Sequence, residues 1–116
     1  MKFARLIVQD CDSSVRVSIT ESARERMRGL LGRDSLAGNE ALLLRDCRSV
    51  HTFGMRFPID IVFLDRHNRV VAIRHAVRRR RVHLSLRAMH TLEMAAGMAR
   101  LHRMKVGSLL DFGTTP

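Results

Sequence analysis

The chain has 116 residues, of which 46% are hydrophobic; that suits one domain, burying roughly two-thirds of the surface its unfolded form exposes and needing no staples. Lys and Arg number 21 against 11 Asp and Glu, a formal charge of +10, which attracts nucleic acid, acidic partners or anionic membrane without choosing among them. Trp and Tyr are absent, so the stacking platforms of single-stranded nucleic-acid binders are scarce, and no segment reaches transmembrane or signal-peptide length.

In chain order, residues 3–9 (FARLIVQ) and 14–20 (SVRVSIT) read as strands, with a turn at Asp10 and the DSS of 12–14. Val15, Val17 and Ile19 alternate with polar residues, the pattern of a strand with one wet face. Thr20 is the expected N-cap of a helix running to Gly32, with Glu21 in the first turn and Ala23, Met27, Leu30 and Leu31 on one stripe. Arg24, Glu25 and Arg28 then face outward, with Glu25 paired to one of the arginines. EALLLRD (40–46) is a short apolar strand. IDIVFLD (59–65) and RVVAIRH (69–75) flank a hairpin loop, RHN. Ile59, Ile61 and Phe63 point one way and Asp60, Val62 and Leu64 the other, so residues 59–65 form a central strand apolar on both faces.

Residues 85–104 are ambiguous. Propensity favours one helix, but Gly97 in its middle costs about 1 kcal/mol; the alternative is a strand through MHTLEMA followed by a helix from Gly97 to Met104. Residues 105–112 close with a turn at Gly107 and a last strand.

Two acids stand out. Asp60, on an apolar strand, must be paired, solvated or protonated; it either organises the start of its strand or lines a pocket with His51 or an arginine. Glu93 poses the same problem inside TLEMA. As a strand residue it shares a face with Thr91 and Ala95, where it can bridge Arg26 or Arg28, or act as Asp60's partner in a site. Their separation cannot be read from sequence, so acid–base catalysis does not follow. Cys47 and His51 lie four apart, but no third or fourth ligand sits at diagnostic spacing, so no metal site is expected. Cys11 and Cys47 suit free thiols in a reducing compartment. No Gly-rich phosphate loop, GxSxG, HExxH or EF-hand loop is present, and no cofactor is expected. The run Arg78, Arg79, Arg80, Arg81, flanked by Arg74 and Arg87, reads either as a solvated, mobile loop or as a phosphate-contacting patch.

The spacing of ARERMRGLLGR (23–33), HTFGMRFPIDIVFLD (51–65), TLEMAAG (91–97) and VGSLLDF (106–112) resembles the bacterial and archaeal family called domain of unknown function 192, over residues 15–112. The chain departs from that pattern at Gly54, where the family carries tryptophan; at residues 56–57, which replace an asparagine; and at Ser108, where an acid is usual. The arginine run falls in the family's variable connection. The resemblance implies a strand at 89–94 and a helix from near Gly97. It also implies an α+β fold: a single compact domain over 1–116, whose mixed, mainly antiparallel sheet curls toward a barrel with two or three short helices. It raises interest in a shared cleft formed by His51, Thr52, Met55, Asp60 and Glu93, and it supplies no mechanism.

The expectation is a cytoplasmic, monomeric binding domain, with enzymatic activity disfavoured, that takes an unknown small ligand in that cleft. The alternative is a polyanion or nucleic-acid-binding module working through Arg78–Arg81.

Overall fold

The first hairpin follows the alternation of its apolar residues. In this computed structural model, which describes residues 1–114, β1 (Lys2–Val8) buries Ala4, Leu6 and Val8, and β2 (Cys11–Ile19) buries Val15, Val17 and Ile19. The turn is Gln9–Asp10, both with positive φ (49° and 65°), as a type I′ hairpin requires. The DSS is not the turn but a bulge. Leu6 pairs with Val15 and Ile7 with Asp12, leaving Ser13 and Ser14 unmatched. The Ser13 hydroxyl donates to the Leu6 carbonyl at 2.6 Å, returning a partner to the broken ladder.

The expected 13-residue helix is much shorter: α1 spans Ala23–Arg28. Its N-cap is Ser22, whose hydroxyl accepts from the Glu25 N–H at 3.2 Å. Thr20 is committed elsewhere: its N–H donates to the Leu43 carbonyl at 3.0 Å and its hydroxyl accepts from the Arg45 N–H at 3.2 Å. Gly29 (φ 48°) stops the helix three residues before Gly32, so Leu30 is buried while Met27, on the expected apolar stripe, is 78% exposed. Glu25 pairs with the N-terminal ammonium at 3.2 Å rather than with Arg24 or Arg28.

β3 (Glu40–Leu44), β4 (Ser49–His51), β5 (Ile59–Leu64), β6 (Val70–Val77), β7 (Val82–Leu84), β8 (His90–Ala95), α2 (Met98–Leu101) and β9 (Leu110–Thr114) complete the chain. Residues 85–104 are therefore a strand and a single helical turn, against helix propensity. β8 lies between β3 and β5, where its alternating Leu92 and Met94 are fully buried.

Among the described residues seven strands form one sheet in the order β6-β5-β8-β3-β2-β1-β9, with only β2 and β3 parallel. Its two edge strands meet at one end: the Val70 N–H donates to the Ser108 carbonyl and the Leu110 N–H to the Asn68 carbonyl, both at 2.9 Å. The sheet thus curls into a half-barrel. Leu6, Val17, Leu43, Val62, Leu64, Leu92 and Met94 fill its inside, with Ala99 of α2 packed among them. A second core lies on the outer face, where Leu42, Leu44, Ile59, Ile61 and Phe63 meet Leu30, Val50 and Met55. β4 and β7 pair as a separate two-stranded ribbon. With helices of six and four residues, the small compact domain is mainly β, and the α+β expectation fits it only loosely.

Candidate functional site

Asp60 and Glu93 are on neighbouring strands but do not share a site. In the β5–β8 register Asp60 opposes Met94 and Ile61 opposes Glu93. Directly opposed residues of an antiparallel pair point to the same face, and successive residues to opposite faces. Asp60 therefore faces the inside of the curl with Met94, and Glu93 faces the outer core with Ile61.

Asp60, 0% exposed, is fully engaged. One carboxylate oxygen accepts from the Ala76 N–H at 2.8 Å; the other accepts from the N–H groups of Gly97 and Ala99, each at 3.0 Å. It ties the β6 bend and the start of α2 to β5. Of the two sequence readings of Asp60, the pairing with His51 or an arginine in a pocket is not made; its partners are backbone N–H groups.

Glu93 is the opposite case. It is 6% exposed, and among the described residues no hydrogen bond or ion pair reaches its carboxyl. Burial alone pushes its pKa up to about 7. Arg26 and Arg28, the partners expected from sequence, line the cavity beside it without pairing to it. The cavity has a volume of about 320 Å³ and lies between the outer face of the sheet, the end of α1 and the 47–55 segment, at the low end of the ~300–1,000 Å³ range of small-molecule sites. Leu30, Leu31, Leu44, Val50 and Met55 supply apolar wall, and Cys47 and His51 border it. Gly29 sits over the carboxyl: a Cβ there would stand 3.9 Å from the nearer Glu93 oxygen. Burial also pushes the Cys47 thiol up, and its S–H donates to the Ser49 carbonyl at 3.2 Å. No group of three His, Cys, Asp or Glu side chains among the described residues is placed to hold a metal ion.

Of the five cleft residues expected from sequence, the structure thus gathers His51, Met55 and Glu93 and separates Asp60 and Thr52. Leu30, Leu31 and Leu44 come to the wall through register and a shortened helix, neither of which local pattern reveals. Gly54 lies close to that wall: with φ 81° and Leu31 only 3.3 Å from where its Cβ would be, a larger side chain there would have to displace Leu31.

Thr52 has a different task, in the arginine loop. Its hydroxyl donates to the Arg78 carbonyl at 2.6 Å and accepts from the Arg81 N–H at 2.9 Å, while its own N–H donates to the Arg81 carbonyl at 2.8 Å. The run of like charge is therefore tied down, not the mobile loop that repulsion suggests. Arg74, Arg78, Arg79, Arg80, Arg81 and Arg87 are all exposed. Thr52→Val removes one donor and one acceptor and should cost about 1–2 kcal/mol, with faster amide exchange confined to residues 78–82. Unchanged exchange at Arg81 would show that the backbone contacts suffice.

No helix among the described residues is long and apolar enough to cross a membrane. Two crystal structures share the fold, each with a TM-score of 0.79 and 20% identity. One is a protein of unknown function from Novosphingobium aromaticivorans, matched over 94% of this chain and 84% of that one. The other is described as a "putative transcription regulator" from Sinorhizobium meliloti, matched over 97% and 96%. Among curated proteins none matches. The model of DUF192, described as "Uncharacterized ACR", matches residues 6–112, taking in the end of β1 and all of β2 as well as the four motifs. The chain belongs to the DUF192 family.

Proposed function

We propose that the domain binds a small, largely apolar molecule with a neutral hydrogen-bonding group, such as an amide or hydroxyl, placed against Glu93. The observation that carries this is a carboxyl held in an apolar cavity with no partner of its own. Left alone such a group only destabilises the fold, and rules of this kind are broken mainly at sites of use. A neutral head group fits better than an organic cation, because Arg26 and Arg28 line the cavity on a chain of charge +10. Binding rather than catalysis is the reading: among the described residues no hydrogen bond joins Glu93, Cys47 and His51 into an acid–base or nucleophile–base pair, and burial makes the Cys47 thiol less nucleophilic. The two free thiols support a reducing, cytoplasmic setting, and the charge of +10 supports a monomer.

A ligand that fills the cavity strips the last water from Glu93 and so favours its protonated form. Benzamide, as probe, should therefore bind about tenfold more tightly at pH 6 than at pH 8, the ratio of protonated Glu93 for a pKa of about 7. Chemical-shift titration followed at Leu44 and Met55 measures this. Glu93→Gln should retain the pH 6 affinity and lose the pH dependence. Affinity independent of pH in the parent protein would remove Glu93 from the site.

A second reading, a polyanion-binding surface at Arg78–Arg81, is favoured by the loop's attachment to Thr52, which holds the charges in place. The Sinorhizobium meliloti protein's description suits such a partner. Affinity should fall steeply with salt.

A further inference from the structure

We infer that the β4–β7 ribbon and its flanks form a docking surface for an anionic lipid bilayer; this rests on the second reading above and names the partner of that surface. The argument begins with charge. Between Asp65 and Glu93 the sequence has no carboxylate, and the exposed Arg74, Arg78, Arg79, Arg80, Arg81 and Arg87 fall on the later half of β6 or on either side of β7. Among the described residues no ion pair engages the arginines of residues 74–87. The Ser85 N–H donates to the Arg48 carbonyl at 3.0 Å, bringing another exposed arginine to the same ribbon.

The second observation is apolar. In the ribbon His51 opposes Val82 and Ser49 opposes Leu84, while Val50, in the outer core, opposes His83. Val82 and Leu84 therefore point away from the core, at 58% and 53% exposure; Leu86, two residues on, is 80% exposed. Phe53 is half-exposed, its ring 6.0 Å from that of His51. Aliphatic side chains between arginines gain nothing against a nucleic-acid backbone, where stacking aromatics or hydrogen-bonding side chains would serve. At a bilayer the same pattern fits: arginines meet lipid phosphates, and Val82, Leu84 and Leu86 enter the headgroup–acyl boundary. A second copy of the chain is disfavoured, since it would set arginines against arginines.

The test is co-sedimentation with vesicles of equal parts phosphatidylglycerol and phosphatidylcholine, with pure phosphatidylcholine vesicles and a duplex oligonucleotide as comparisons, all at physiological salt. The parent protein should bind the mixed vesicles and neither of the others comparably. Changing Arg78–Arg81 to Ser should lower partitioning by roughly fivefold per arginine, and Val82→Ser with Leu84→Ser should lower it severalfold at unchanged charge. All these side chains are exposed, so both variants should keep a native amide spectrum; should either fail to fold, Leu86→Ser and Arg87→Ser probe the same two contributions on the adjoining turn. If the arginine change abolishes binding but the apolar change does not, the surface is a polyanion site without a bilayer contact, and the inference fails while the reading beneath it stands. Tighter binding to the oligonucleotide than to the vesicles has the same meaning. Binding that survives the arginine change overturns both.

Discussion

Glu93→Gln should stabilise the protein by about 3 kcal/mol at pH 8 and leave it nearly unchanged at pH 4.5. The carboxyl ionises near 4.5 in an unfolded chain and near 7 in the fold, and each unit of difference is worth about 1.4 kcal/mol. Between those pH values the folded state holds more proton than the unfolded state, so Glu93 makes stability fall as pH rises through that window. Above about pH 7 both states are ionised and the penalty is complete and flat. Glutamine keeps the shape and carries no charge, so the variant lacks this slope. Urea unfolding at pH 4.5, 6 and 8 measures it. A variant less stable than the parent at pH 8 would mean that the carboxylate has a favourable partner in the fold, with Arg26 the first to test, and the case for an open binding group would weaken with it.

A penalty of that size is a large part of the ~5–15 kcal/mol that holds a domain together. Alanine or leucine at position 93 would continue the apolar outer core of Leu42, Ile61 and Leu44 without it. Glu93 stands where the energetics of the core and a use for the residue point in opposite directions, whereas Asp60, also buried, is held on both oxygens by backbone N–H groups. Burial alone does not separate the two acids. Hydrogen bonding does.

Much of the fold was legible in local pattern. The strands at Ala4–Val8, Val15–Ile19 and Ile59–Leu64 follow from period-two alternation or from continuous apolar runs, and the Asp65–Asn68 turn from its residues. What pattern could not supply is register. Parity within one strand places Asp60 opposite in direction to Ile61, and parity within another places Glu93 opposite to Met94, but only the offset between the strands decides whether the acids meet. One residue of slip would have put them on one face. The shortened α1 was hidden for a related reason. Thr20 looks like a cap until its hydroxyl is seen to be held by β3, and Gly29 and Gly32 are equivalent stops until the outer core draws Leu30 in. Thr52 and Arg81 lie far apart in sequence, so nothing local connects them. The half-barrel itself came from the resemblance, because curl depends on where the edge strands meet.

Asp60→Ala should cost about 3 kcal/mol, enough to leave the protein marginal. It takes the acceptor from the N–H groups of Ala76, Gly97 and Ala99; water can reach the first two, on exposed residues, while the buried Ala99 N–H bears the full cost of about 1–3 kcal/mol for an orphaned donor. Asp60→Asn is the more informative change. Its single carbonyl oxygen can still accept from Gly97 and Ala99, but its amide then presents N–H to the N–H of Ala76, so a loss of about 2–3 kcal/mol is expected. The damage should show as faster amide exchange in α2 and around Ala76, not across the outer face. Benzamide binding at pH 6 should survive in any Asp60→Asn protein that remains folded, since Glu93 and the cavity lie across the sheet. A folded Asp60→Asn protein that no longer binds the probe, with the Glu93→Gln protein binding normally, would move the site to the inside of the curl. Loss of the α2 contacts without loss of binding assigns Asp60 to the fold and leaves the outer cavity to Glu93.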